Sequence, residues 1–257
     1  MPAPANLPRD ALDAWHTEGL LVIEDALDHR QSASFQRWAE AISRPPTADQ
    51  RRLQYFERID AAPSLCRTER FLDDDPGLRA LLIAGTLPAI AGVLLGEEAR
   101  LYKEKLNHKL PGGGGFAPHQ DAVAYPNVSR SITCLIAADA MTSANGCLEF
   151  APGRYDSLLP TDAAGCIVPE VARSLRWRPV PVAAGAVMFF NSFVPHRSGP
   201  NRTPAPRRAF YLTYNPASEG DLRERYYAMR DAGLAATEPA GAPVRISLIG
   251  HFQGEPV

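Results

Sequence analysis

Cysteine is scarce in this chain, with 4 in 257 residues, and no two stand in a Cys-x-x-Cys spacing. That argues against a disulfide framework, and Cys66, Cys134, Cys147 and Cys166 are expected to be reduced, buried thiols of a cytoplasmic protein. Excess charge is also missing: the formal net charge is −2 and the pI is near 6.3. Binding to nucleic acid or to an anionic membrane surface therefore has no electrostatic basis here. No apolar run reads as long enough to span a bilayer, and Met1-Pro2-Ala3-Pro4 lacks the basic-then-apolar pattern of a secretion signal. Repeats and low-complexity linkers are absent too. With 45% apolar residues, the chain reads as one domain, 1–257, with a substantial core and a small-molecule partner.

What is present is a set of metal-binding residue types. His119-Gln120-Asp121 is followed far downstream by His196, in Pro195-His196-Arg197-Ser198-Gly199. Two imidazoles and one carboxylate form the face that binds Fe(II) while leaving coordination positions open. On a β-strand, residues i and i+2 share a face, so His119 and Asp121 can reach one metal while Gln120 points away. A bare His-x-Asp is a weak signal that a solvated loop pair also satisfies, so the surroundings matter.

Those surroundings are rich in strands. Leu101–Leu110 reads as a strand running into Pro111-Gly112-Gly113-Gly114-Gly115, a turn expected to deliver His119 at a strand start. The glycine run ends in Phe-Ala-Pro-His, without the Gly-Lys-Ser/Thr that a phosphate loop needs. Ser131–Ala137 is β-rich, Asn145-Gly146 is a hairpin signal, and Cys147–Phe150 reads as the returning strand. Pro181-Val182, Gly185–Phe190 and Arg208–Tyr214 add further strands, which favours a sandwich or barrel.

The first hundred residues read as mainly helical, with helices near 8–19, 31–43 and 76–92 and a short strand at Leu20–Ile23. Gln54–Arg58 and Cys66–Arg70 are dense in aromatics and paired charges, the composition of an ion-paired surface. His16, His29, His108 and His251 lack a partner pattern and read as surface or core residues. The tail carrying His251 is expected to fold over the barrel.

Pro111-Gly112 before His119-Gln120-Asp121, then Asn145-Gly146-Cys147-Leu148 with Pro152-Gly153, then His196 to Asn201 and Arg207, resemble the phytanoyl-CoA dioxygenase family of Fe(II)/2-oxoglutarate-dependent oxygenases over roughly residues 15 to 230. The resemblance implies a double-stranded β-helix, a jelly-roll of mainly β structure with helices packed outside: 1–100 as flank and cover of the barrel mouth, 101–216 as core, 217–257 as C-terminal helix and tail. It implies His119, Asp121 and His196 as metal ligands and catalytic residues, with Fe(II), 2-oxoglutarate and O2 as cofactor and co-substrates. The family pattern places a basic residue eleven positions past the distal histidine, at Arg207, to meet the 2-oxoglutarate carboxylate with its planar fork. Arg208, on the opposite face of a strand, would take that role if the register slipped by one. Ser198 matches a position that bonds the same carboxylate, and Asn107 and Lys105, on the inward face of the first strand together with Lys109, are further candidate contacts.

Because Asp121 keeps the carboxylate ligand that halogen-transferring relatives lack, the resemblance implies hydroxylation of an unactivated C–H bond, with succinate and CO2 released. The family cover segment makes Tyr55, Glu57, Arg67 and Glu69 candidates for substrate contact, as are Tyr125 and Arg154; Arg154-Tyr155 stands where many relatives carry Ser-His. Family branches acting on small zwitterions such as 2-aminoethylphosphonate, or on natural-product intermediates, supply the expected substrate. Two alternatives stand beside this reading: a metal-dependent cupin-type isomerase or hydrolase, and a ligand-binding barrel.

Overall fold

The computed structural model describes residues 7–153, 155–237 and 245–257. The chain opens with α1 (Arg9–Glu18), which stops at Gly19 because the backbone there turns left-handed, φ 65°, and its amide bonds back to Trp15 O. A side chain at Gly19 would collide with Val194, so glycine is required twice over. Strand β1 (Leu20–Ile23) follows at once. Helix α2 (His29–Ser43) starts in a capping box: the Asp28 carboxylate accepts from the Arg30 and Gln31 amides, and Gln31 reaches back to the Asp28 amide. Its buried stripe, Phe35, Ala39 and Ile42, has helical spacing.

The next segment departs from the helical expectation for the first hundred residues. Strands β2 (Leu53–Ile59) and β3 (Ala62–Glu69) form an antiparallel hairpin that extends the larger sheet. Of the residues read as an ion-paired surface, Arg58 keeps an exposed ion pair with Glu255, whereas Tyr55, Glu57, Arg67 and Glu69 are each no more than 3% exposed. Burial is tolerated because the charges partner one another or backbone groups. Beyond them, α3 (Pro76–Ala84) and α4 (Thr86–Leu95) form a 20-residue apolar stretch of mean hydropathy 2.0, long and apolar enough to cross a membrane, which corrects the expectation that no such run exists. Here it is broken at Gly85, whose backbone is extended, and Leu78, Leu82, Leu87, Ile90 and Ala91 are packed into the core. Coverage is one-sided on α3, where Ile83 stays 42% exposed, and more complete on α4.

The remaining strands are β4 (Ala99–Lys109), β5 (Phe116–His119), β6 (Ile132–Ala137), β7 (Leu148–Phe150), β8 (Arg178–Val180), β9 (Val187–Asn191), β10 (His196–Ser198) and β11 (Arg207–Pro216), with α5 (Pro169–Ser174) and α6 (Arg223–Thr237) between and after them. They make two sheets, of order β1-β9-β6-β11-β4-β3-β2 and β5-β10-β7-β8. All the strand pairs are antiparallel. This is the expected jelly-roll, except that β1, β2 and β3 come from the part read as outer flank.

Alternation along β11 sorts its side chains between two cores. Phe210 and Leu212 face the helices, where Phe210 makes edge contacts to Phe35 and Phe71 at centroid distances of 5.3 and 5.8 Å. Ala209 and Tyr211 face the space between the sheets, together with Leu135, Phe150, Met188 and Phe190. Strand β4 divides likewise: Glu104 accepts from Arg223 on the outer side, while Lys105 and Asn107 face inward.

The Asn145-Gly146 turn does not close a hairpin between β6 and β7. Those strands lie in different sheets, so the turn carries the chain across. Asn145 Oδ1 accepts from the Thr142 amide at 2.7 Å, and Gly146 adopts φ 74°. The local turn chemistry is as expected, but the strands it joins find other partners.

Candidate metal and carboxylate site

His119 ends β5 rather than starting a strand, and Asp121 begins a short 3-10 turn, Asp121–Ala124. Gln120 between them stays extended, φ −119° and ψ 130°, so the i, i+2 relation survives at the strand end. The Gln120 side chain points away and ties down two loops, donating to Ser157 O at 3.1 Å and accepting from the Leu159 amide at 2.7 Å. His196 opens β10 and is the direct cross-strand partner of His119, which places both rings on one face with centroids 4.1 Å apart.

All three residues are buried, and one ligand atom from each lies within 4.8 Å of the others. Backbone carbonyls set the tautomers. His119 Nδ1 lies 2.7 Å from Ala117 O, and His196 Nδ1 lies 3.1 Å from Val194 O. Each carbonyl can only accept, so each Nδ1 carries the hydrogen and leaves the Nε2 lone pair free. Both Nε2 atoms face Asp121 Oδ1, at 3.9 and 3.8 Å, while Thr133 Oγ1 donates to Oδ2 at 2.9 Å. Second partners of this kind orient ligands toward a metal.

Electrostatics agree with the geometry. Burial first, and the neighbouring His196 second, push His119 well below the usual histidine range. Burial also lowers His196. Burial opposes the charged form of Asp121, yet His196, Lys105, His119 and the Thr133 hydrogen bond hold it below the usual carboxylate range. Two neutral imidazoles and one carboxylate suit a divalent cation.

Arg207, 1% exposed, stands across from Lys109 of β4 and is not among the residues lining the cavity that holds this cluster. Its Nη2 donates to Gly146 O at 2.7 Å, but Nε and Nη1 have no protein partner. Ser198 Oγ and Lys109 Nζ, 2.9 Å apart, lie at the same end of the fold. Burial and the adjacent Arg207 lower Lys109 to about 6. Arg208 points to the other face, where it is salt-bridged to Asp139 at 2.8 Å. Strand alternation thus separates the two arginines as the sequence register anticipates.

A cavity opens over the metal-type cluster, lined by Arg67, Lys105, Asn107, Phe116, Tyr211 and His251 among others. Lys105, lowered to about 8 by burial and by Arg67, lies over the Tyr211 ring at 5.0 Å. Of the candidate substrate contacts, the fold brings Arg67 to the cavity and leaves others out of its lining. Tyr55 is held in packing by Arg230 Nη2 at 2.8 Å, and Glu57 accepts from the Gly114 amide at 2.9 Å. Glu69 pairs with Lys103 at 3.1 Å, and Tyr125 stacks edge-on with Tyr102 in a separate tyrosine cluster. Arg154 lies outside the described residues. His251, read from sequence as a surface or core residue, stacks on His119 with centroids 3.9 Å apart. An isolated histidine in a tail gives no pattern to find it by.

Comparisons with known proteins agree with this architecture. Over 253 residues, 98% of this chain and 97% of the relative, the sequence is 45% identical to a methylphosphonate hydroxylase of Gimesia maris. It is 34% identical to a 2-aminoethylphosphonate dioxygenase of Uncultured bacterium HF130_AEPn_1, over 83% of each chain. The crystal structure of EctD from S. alaskensis with 2-oxoglutarate and 5-hydroxyectoine shares the fold at a TM-score of 0.70 and 21% identity, covering 100% of this chain and 86% of that one. The family described as Phytanoyl-CoA dioxygenase (PhyH) matches residues 15–209, and the chain belongs to that family.

Proposed function

We propose that this protein is an Fe(II)- and 2-oxoglutarate-dependent hydroxylase of a small phosphonate, releasing succinate and CO2. The observation that carries the reading is the coexistence of two buried features between the sheets of one fold. One is a tautomer-fixed His119, Asp121, His196 cluster; the other is a buried Arg207 guanidinium with two nitrogens lacking a protein partner. The first fits a divalent metal, and the second fits the fork geometry of a carboxylate. When bound, Fe(II) with 2-oxoglutarate and oxygen supplies the oxidising power for attack on an unactivated C–H bond.

The chain's own residues hold and orient. Arg207 would take the distal carboxylate of 2-oxoglutarate, with Ser198 beside it, while Lys105 and Asn107 line the metal-proximal side. Phe150 and Phe190 pack against His196 at centroid distances of 5.8 and 5.0 Å and exclude water from it. The names of the two curated relatives support a phosphonate substrate, and so does the cationic lining of the cavity by Arg67 and Lys105. A natural-product intermediate would not require that charge. A metal-dependent isomerase or hydrolase, or a ligand-binding barrel, would not require Arg207. The four free buried cysteines support a reducing, cytoplasmic setting.

An anaerobic titration of Fe(II)-loaded protein with 2-oxoglutarate tests the reading. A visible metal-to-ligand charge-transfer band is expected, lost in His196→Ala, followed by phosphonate-stimulated succinate formation in air. Properly loaded iron that gives no band would favour a non-oxygenase barrel.

A further inference from the structure

The C-terminal segment lies beyond the residues that match the family, yet it reaches the centre of the site. Its backbone is tied to both sheets. The Ala117 amide donates to His251 O at 2.7 Å and the Gln253 amide to Gly115 O at 3.0 Å, beside β5; the Arg58 amide donates to Glu255 O at 2.7 Å and the Val257 amide to Phe56 O at 3.1 Å, beside β2. The segment is therefore a strap fastened across the opening between the sheets. Its fastening holds the His251 ring against His119, with Nδ1 3.4 Å from Ser247 Oγ, and His251 lines the cavity.

Arg67 meets the same strap. Its Nη1 donates to Ile246 O at 2.6 Å and its Nε to Asn107 Oδ1 at 3.0 Å, so the guanidinium is fixed at two corners. The third corner, Nη2, is buried without a protein partner, on a side chain that lines the cavity. An unpaired buried donor is costly, and an oxyanion is the partner that best relieves it. The nearby Glu69 carboxylate is already engaged by Lys103 at 3.1 Å and Arg67 at 3.6 Å. Among the described residues lining the cavity, Asp121 is the sole acid, and it belongs to the metal cluster. A cationic group on the substrate would find no free counterion there.

We propose that Arg67 and the strap residue His251 together seat the head of a small alkylphosphonate that carries no cationic group. The proposal rests on the phosphonate reading above and assigns the head to two residues, one of them supplied by the C-terminal strap. The free Arg67 Nη2 meets a phosphonate oxygen from one side, and His251 meets the head from the metal side.

The test is calorimetric titration of the anaerobic Fe(II)·2-oxoglutarate protein with methylphosphonate and with 2-aminoethylphosphonate, each variant first shown to form its charge-transfer band. Methylphosphonate is expected to bind wild type at least tenfold more tightly than 2-aminoethylphosphonate. His251→Phe, which keeps the stacked ring but loses its nitrogens, and Arg67→Met should each weaken methylphosphonate at least tenfold. His251→Gln and Arg67→Lys should recover part of the loss. If His251→Phe binds as wild type does, or if 2-aminoethylphosphonate binds as tightly as methylphosphonate, the seat is wrong while the phosphonate reading stands. If wild type forms the band but takes up neither phosphonate, the phosphonate reading itself fails and the seat with it.

Discussion

Replacing Arg207 by methionine should separate affinity for the co-substrate from stability of the fold in an unusual way. A large buried side chain normally stabilises, but this one holds a charge with a single hydrogen bond, to Gly146 O, and two unpartnered nitrogens. A buried charge left partly unsatisfied is a cost to the folded protein, which methionine of similar length removes. In the absence of 2-oxoglutarate, Arg207→Met should thus unfold in urea with a free energy within about 1 kcal/mol of wild type, or higher. Affinity should move the other way. Two charge-assisted bonds at roughly 1.5–3 kcal/mol each would be lost. At the low end of that range, a net loss of about 3 kcal/mol corresponds to a Kd for 2-oxoglutarate raised on the order of 150-fold. The charge-transfer titration measures it directly. Arg208→Met is the control, since that side chain bonds Asp139 on the opposite face. Its 2-oxoglutarate affinity should stay within about twofold of wild type, because no contact to the site is removed. An Arg207→Met protein that binds 2-oxoglutarate as wild type does, or an Arg208→Met protein that loses more, would refute the argument.

Thr133→Val removes the bond to Asp121 Oδ2 and should lower Fe(II) affinity roughly 10–100-fold, with Thr133→Ser near wild type, as read by competition with a metal-binding dye. Phe210→Ala should cost about 3–5 kcal/mol in urea unfolding by removing the ring that meets Phe35 and Phe71, and an unchanged free energy would mean the helical layer repacks freely. His108 is buried against Thr68 Oγ1 at 3.0 Å, and burial, with the Arg208 charge, lowers it to about 3. Folded His108 thus stays neutral while the unfolded chain takes up a proton near pH 6.5, so this contribution is intact above that pH and lost as pH falls toward 3. At pH 5 the loss should be about 2 kcal/mol, from about 1.4 kcal/mol per pH unit. Wild type should lose that much more than His108→Leu between pH 7.5 and 5; equal losses would show that His108 does not titrate as argued.

Local chemistry was readable in the sequence where it depends on nearest neighbours. The His119 to Asp121 spacing and the strand periodicities follow from repeat geometry along one strand, while the order of motifs carried the family and, with it, the expectation for Arg207. Readings that required knowledge of what packs against what fared differently. Asn145-Gly146 forms its turn, but its flanking strands join different sheets, because pairing is decided by the competition among all strands for partners. Tyr55, Glu57, Arg67 and Glu69 of β2 and β3 look solvent-loving in sequence and are buried, with partners from distant segments: Glu69 from Lys103, Tyr55 from Arg230.

The sequence by itself determined the candidate ligand types, their spacing and the placing of Arg207 and Arg208 on opposite faces, because alternation along a strand is a property of the backbone; the preference for Arg207 came with the family resemblance. Only the tertiary structure decided that His119 and His196 are cross-strand partners, that Tyr55, Glu57 and Tyr125 lie outside the lining of the cavity, and that His251 joins the site from the chain's last residues. Those facts depend on contacts between segments far apart in the chain, and such contacts are set by closure of the two sheets and by the strap fastened across them.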